Sequence, residues 1–141
     1  MSVSIFGRGP AYPFRKDPTR SRALIVSEEE NVMSCIRHII KTPMYSRPFT
    51  VKNGIMFGTR IRRALFESEK TAEAIAVYDV RNALDIWEPR IVVQNVVANW
   101  APAHIGKKRV LLVTVFFTYR KTNRADNLVV PFYQGDLREA A

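Results

Sequence analysis

Glu88 and Arg90 stand on either side of Pro89, directly after Trp87, and no other stretch of the chain joins residue types and spacing as suggestively. The prolyl ring fixes its own φ, so the carboxylate and the guanidinium beside it are held in a fixed relative direction. Such a pair suits recognition of a partner better than bond breaking. The plainer reading is a helix stop flanked by two solvated charges, which contribute almost nothing to stability.

Catalytic chemistry has less to stand on. Glycoside hydrolysis wants two carboxylates facing each other across a cleft, one of them with a raised pKa. Glu67, Glu73, Asp79, Asp85 and Glu88 lie on or beside expected helices, and only Glu67 and Glu88 show any sign of burial. His38 and His104 are the two histidines, and neither has an acid and a nucleophile near it in sequence, so both read as ordinary polar residues. Cys35 is the single cysteine, which excludes an internal disulfide and argues against a zinc site. It falls on an apolar helix face and reads as a small core residue. No catalytic residue, metal or cofactor is expected.

The elements that must position the Trp87 to Arg90 stretch follow from periodicity. Ser27-Glu28-Glu29-Glu30 reads as a capping box opening a helix. Val32, Cys35, Ile36, Ile39 and Ile40 recur at helical spacing until Thr42-Pro43 closes the element. Turn chemistry fills 47–54, and a short amphipathic segment with Ile61, Leu65 and Phe66 reads as a second helix. Phe57 and Phe66 are expected in the core. Ser68 can cap the longest helix, whose face of Ala72, Ile75, Ala76, Val80, Ala83, Leu84 and Trp87 runs up to Pro89. The residue before a proline is pushed out of helical geometry, so the helix ends near Trp87.

Beyond Pro89 the period changes. Segments 91–98, 110–119 and 128–133 are rich in Val, Phe, Tyr and Thr and read as three successive strands. Helices followed by a meander give an α+β fold, two or three helices packed on a small, mainly antiparallel sheet of about three strands. Such a sheet leaves two edges; Pro131 blunts one, and an unprotected edge invites a strand from another chain. Residues 1–22, with three prolines and two glycines among aromatic and basic residues, read as an extended arm that opposes helix and regular strand, and 23–141 as a single domain. Tyr12 and Phe14 suggest that the arm docks on its own domain or on a neighbour.

The chain has 141 residues and a net charge of +9, from 22 Lys and Arg against 13 Asp and Glu. An acidic partner is a fair expectation. The cations are dispersed, and no zinc-finger spacing or RNA-recognition signature accompanies them, so a basic nucleic-acid-binding protein remains an alternative carried by charge alone. No apolar run is long enough to cross a bilayer and the N-terminal residues lack a signal-peptide core, so synthesis in a cytoplasm is expected.

Arg47-Pro48-Phe49, Phe57-Gly58, Leu65-Phe66-Glu67 and Trp87-Glu88-Pro89-Arg90, in that order and leading into strands, resemble the small baseplate wedge subunit of contractile-tailed phages. The same family includes the corresponding small baseplate component of type VI secretion systems. The glycine-rich start at 7–14 and the late Asn127-Leu128-Val129-Val130-Pro131-Phe132 also resemble its ends. Lys41-Thr42-Pro43 replaces the Asn-Thr-Arg of the secretion branch, which favours a phage baseplate over a type VI or tailocin one.

The resemblance implies a structural, non-enzymatic protein of the virion, assembled in the tail baseplate within the bacterial host. It implies docking through Glu88, Pro89 and Arg90 on the helical core bundle of larger wedge proteins, and a sheet that templates the first ring of tail sheath protein. Tail tube or hub proteins are further candidate partners; membrane and direct nucleic-acid contacts are not implied. Lys107, Lys108 and Arg109, with Arg120, Lys121 and Arg124, flank the second strand and are expected to meet acidic sheath arms. A lysozyme-like hydrolase is the remaining alternative, because family members have carried that label.

Overall fold

The computed structural model describes residues 5–47, 51–52, 54–102 and 109–134. Its order is β1 (Arg8–Pro10), β2 (Ile25–Ser27), α1 (Glu28–Lys41), β3 (Val51–Lys52), β4 (Ile55–Met56), α2 (Ile61–Ala64), α3 (Glu69–Trp87), β5 (Ile91–Pro102), β6 (Arg109–Tyr119) and β7 (Ala125–Tyr133). The fold is α+β, as the change of period at Pro89 requires.

Apolar spacing places α1 and α3 on the sheet. Val32, Ile36, Ile39 and Ile40 of α1 and Ala76, Val80, Ala83 and Leu84 of α3 are buried together against one sheet face. That face is built by every second residue of β6, Leu111, Val113, Val115, Phe117 and Tyr119, and by Leu128, Val130 and Phe132 of β7. Each large aliphatic side chain so buried contributes about 1.5–3 kcal/mol. The sheet runs β5-β6-β7, antiparallel throughout, with a bulge between Val93 and Asn95. β5 and β7 are its edges, and Pro131 lies on β7 opposite Leu112.

The other sheet face is uncharged. On β6 and β7 it presents Val110, Leu112, Thr114, Phe116 and Thr118 beside Ala125, Asn127, Val129, Pro131 and Tyr133. Phe116, Val129 and Tyr133 are all exposed there.

Several expectations need correction. Ser27 is the N-cap of α1, but its hydroxyl makes no capping bond, and Glu28 adopts a positive φ of 55°. The Glu28 carboxylate instead accepts the amide of Ile5, so this helix start serves the arm. Phe66 is exposed rather than buried, because the turn after α2 aims Ala64 and Leu65 at the core and leaves the next residue outside. Asp79 is buried and ion-paired to Arg60. Cys35 is only partly buried and lies beside a surface cleft. The arm also holds regular structure, since Arg8–Pro10 pairs antiparallel with Ile25–Ser27.

Candidate docking site at the Glu-Pro-Arg junction

Pro89 ends α3 where expected, and Glu88 becomes its C-cap at φ −125° and ψ 83°, its amide still donating to the Leu84 carbonyl. Extended geometry at Glu88 turns its side chain inward, where it is 2% exposed. Arg90 Nε donates to Oε1 at 2.6 Å and Nη2 to Oε2 at 2.8 Å, a two-pronged fork on a buried carboxylate. The hydrogen bonds to Glu88 push the Arg90 guanidinium further above its already high ordinary pKa. These are not solvated surface charges.

The third prong goes to the arm. Arg90 Nη1 donates to the Phe6 carbonyl at 2.7 Å, which also accepts from Asn31 Nδ2 at 3.4 Å. The Phe6 ring is buried and stacks at a tilt on Tyr119, centroids 5.1 Å apart. Lys121 Nζ donates to the Ile5 carbonyl, and Arg124 pairs with Glu29 of α1 at 2.8 Å. The Arg120 amide donates to the Arg90 carbonyl at 3.0 Å. Glu88, Pro89, Arg90, Arg120, Lys121 and Arg124 therefore gather at one end of the sheet, with Pro89 and Arg120 exposed.

Arg109 is not with them. It starts β6, so the eleven-residue strand separates it from the Arg120 turn by about 35 Å. There it pairs with Glu69 and lies 5.2 Å over the Trp100 ring. Lys107 and Lys108 lie outside the described residues, as do Pro48 and Phe49.

Three motif residues far apart in sequence meet beside the junction. Phe57 packs edge-on against Trp87 at 5.2 Å, and the Arg47 guanidinium lies 5.2 Å over the Phe57 ring. Arg47 Nη2 is 2.6 Å from His38 Nε2, and His38 also contacts Tyr12 of the arm edge-on at 4.8 Å. A guanidinium can only donate, so Nε2 is the acceptor and the imidazole is neutral. Burial first, and the Arg47 charge second, push the His38 pKa down.

Gly58 sits below this cluster at φ +109°, where a Cβ would stand 2.4 Å from the Thr42 carbonyl oxygen. Glycine is required there by both conformation and space. Leu65 is buried; Glu67 is exposed beside Phe66.

A cleft of about 550 Å³ opens between the arm, α1 and the end of α3. Sequence reasoning missed it, because the arm's course was not readable from its composition. It also missed Asp79, which accepts from the Arg60 amide at 2.8 Å and from its guanidinium at 3.0 and 2.8 Å. Among the described residues no group of His, Cys, Asp or Glu could hold a metal ion.

A buried carboxylate, forked by a partly buried arginine, thus braces an exposed proline at one end of the three-stranded sheet. Residues 26–124 match the family described as baseplate wedge protein gp25, and the chain belongs to that family. Its class is that of the baseplate wedge proteins.

One similar structure is a Geobacter sulfurreducens protein provisionally described as a tail lysozyme. It is 33% identical over 74% of this chain and 89% of its own, with a TM-score of 0.58. Another is a chain of the anti-feeding prophage baseplate, 15% identical over 96% of this chain and 94% of its own, with a TM-score of 0.55. The second likeness speaks for the fold alone. A search of curated proteins found no match.

Proposed function

We propose that this protein docks through the Glu88-Pro89-Arg90 junction on the helical core bundle of larger baseplate wedge proteins, and that its three-stranded sheet templates the first ring of tail sheath. The observation that carries the reading is the junction itself. Exposed Pro89 is fixed by buried Glu88 and forked Arg90, beside the exposed Arg120, so a partner meets a surface that costs little ordering entropy to engage. The open edges of β5 and β7 and the uncharged outer face support the templating role, because an added strand finds unpaired backbone groups and no charge to desolvate. Proline on β7 makes β5 the less obstructed edge.

The cations at the two ends of β6 receive acidic segments of sheath subunits in this reading. Arg109, Lys121 and Arg124 already hold Glu69, the Ile5 carbonyl and Glu29, so exposed Arg120 is the residue to neutralise first. Unchanged sheath nucleation by Arg120→Gln would remove this part. The particle is a phage tail by the Lys41-Thr42-Pro43 segment, with a type VI or tailocin baseplate as the alternative, and tube or hub proteins are further neighbours.

The test is co-expression with larger baseplate wedge proteins, followed by light scattering on a sizing column. A defined complex, weakened by Pro89→Ser and Arg120→Glu at exposed positions, is the expected result. If no complex forms with the native chain, the docking reading falls.

The lysozyme description of the Geobacter protein gives a hydrolase its one specific support. Against it, the buried acids among the described residues, Glu88 and Asp79, each give both carboxylate oxygens to an arginine. Cell-wall turnover by the pure chain would restore that reading. Direct nucleic-acid binding would need affinity that survives moderate salt and falls with a steep logarithmic slope.

A further inference from the structure

The cleft beside the junction has features that the fold does not use. Its walls are the arm segment from Arg8 to Phe14, the Cys35 and His38 face of α1, and Trp87 at the end of α3. Trp87 packs partly buried against the core, and its indole Nε1–H is buried without an acceptor among the described residues. Phe14, on the rim, is 70% exposed. Arg8 and Arg47 also line the rim, and the chain as a whole carries +9. An apolar floor and a cationic rim are complementary to one kind of guest.

We propose that this cleft binds a short acidic segment of a neighbouring baseplate protein. One large apolar side chain of that segment fills the space between Tyr12, Phe57 and Trp87, and a flanking carboxylate meets the arginine rim. The inference rests on the docking reading above and adds to it the chemistry of the segment received. Glu88 and Arg90 act here as the brace that holds one wall, since Arg90 fastens the arm at Phe6 while Glu88 fastens Arg90. The volume of about 550 Å³ suits a few side chains, so specificity comes from a short motif and not from a broad surface.

Cys35 is the only cysteine in the chain and lines the cleft, which makes it a reporter. Alkylation by N-ethylmaleimide, followed by intact-mass spectrometry, is compared between the free protein and its complex with the co-expressed wedge proteins. Labelling at least about tenfold slower in the complex is expected. Phe14→Ser, which removes the exposed rim ring, and Arg8→Glu at the exposed rim should each weaken the complex about fivefold to tenfold while the isolated variants unfold as the native chain does.

A complex that forms normally but leaves Cys35 as reactive as in the free protein overturns the cleft proposal and leaves junction docking intact. So does native affinity in both variants. Absence of any complex overturns both readings together. Protection that appears in the chain alone as its concentration rises, with a doubled mass by light scattering, assigns the cleft to a second copy and also overturns the proposal.

Discussion

Asp79 accepts three hydrogen bonds from Arg60, one from its amide and two from its guanidinium, and thereby ties the start of α2 to the middle of α3. The carboxylate is buried and the arginine is about half exposed, so the anion depends on this one partner. Asp79→Ala strands the Arg60 amide as well as the charge. A loss of about 2–3 kcal/mol is expected in urea unfolding, by the usual worth of hydrogen bonds to a charged group, and Asp79→Asn should recover part of it.

Arg90→Ala leaves the Glu88 carboxylate buried without its counter-charge and releases the arm. Removing one partner of a buried pair costs about 3–5 kcal/mol. A thermal midpoint far below the native one is expected. Arg90→Lys keeps the charge but lacks the fork, and should fall between the two. Loss of a wedge complex in Arg90→Ala is therefore not by itself a sign of a lost contact, which is why exposed positions are the better probes of docking.

Gly58→Ala should be severely destabilising. The added Cβ meets the Thr42 carbonyl at 2.4 Å, and the backbone stays at a positive φ that alanine rarely adopts. The strain alone is on the order of 1–3 kcal/mol. Near-native stability in denaturant would show that the 42–58 contact is looser than described.

His38 predicts a pH dependence. Its pKa is held below the ordinary histidine value, so the unfolded chain binds its proton more readily than the folded one. Stability from this group is present above pH 6.5 and is lost as the pH falls through the ordinary value towards the lowered one. The midpoint of urea unfolding should drop between about pH 7 and pH 5, and His38→Gln should flatten that part of the curve.

Phe6→Ala removes a buried ring from the Tyr119 stack. A cost of about 3 kcal/mol follows from the usual penalty for truncating a core phenylalanine. Proteolysis of the arm should accelerate, because its buried aromatic anchor is gone.

The helices and the sheet were legible for a plain reason. Ile36, Ile39 and Ile40, or Val80, Ala83 and Leu84, repeat at a spacing that only a helix can bury on one side, and Pro89 supplies a stop that no context overrides. The strand ends were less so: β5 runs on to Pro102 and β7 begins at Ala125, since pairing with β6 carries strands past their β-branched cores.

Glu88 and Arg90 were found by the rigidity of the proline between them. Their inward direction was not, because it depends on the Phe6 carbonyl brought from the far end of the chain. Asp79 stayed hidden because an acid on a helix looks solvated until its partner loop is placed. Phe66 misled in the opposite sense, its hydrophobicity pointing to a core that the turn after α2 denies it.

The ties of the arm reach across almost the whole chain: 84 residues from Phe6 to Arg90 and 116 from Ile5 to Lys121. A ribosome therefore releases this arm long before Arg90 and Lys121 exist to hold it. Through that interval the Phe6 ring has no berth, and the body must close before the arm can be stowed. Until then the arm is open to whatever else in the assembling particle can hold it.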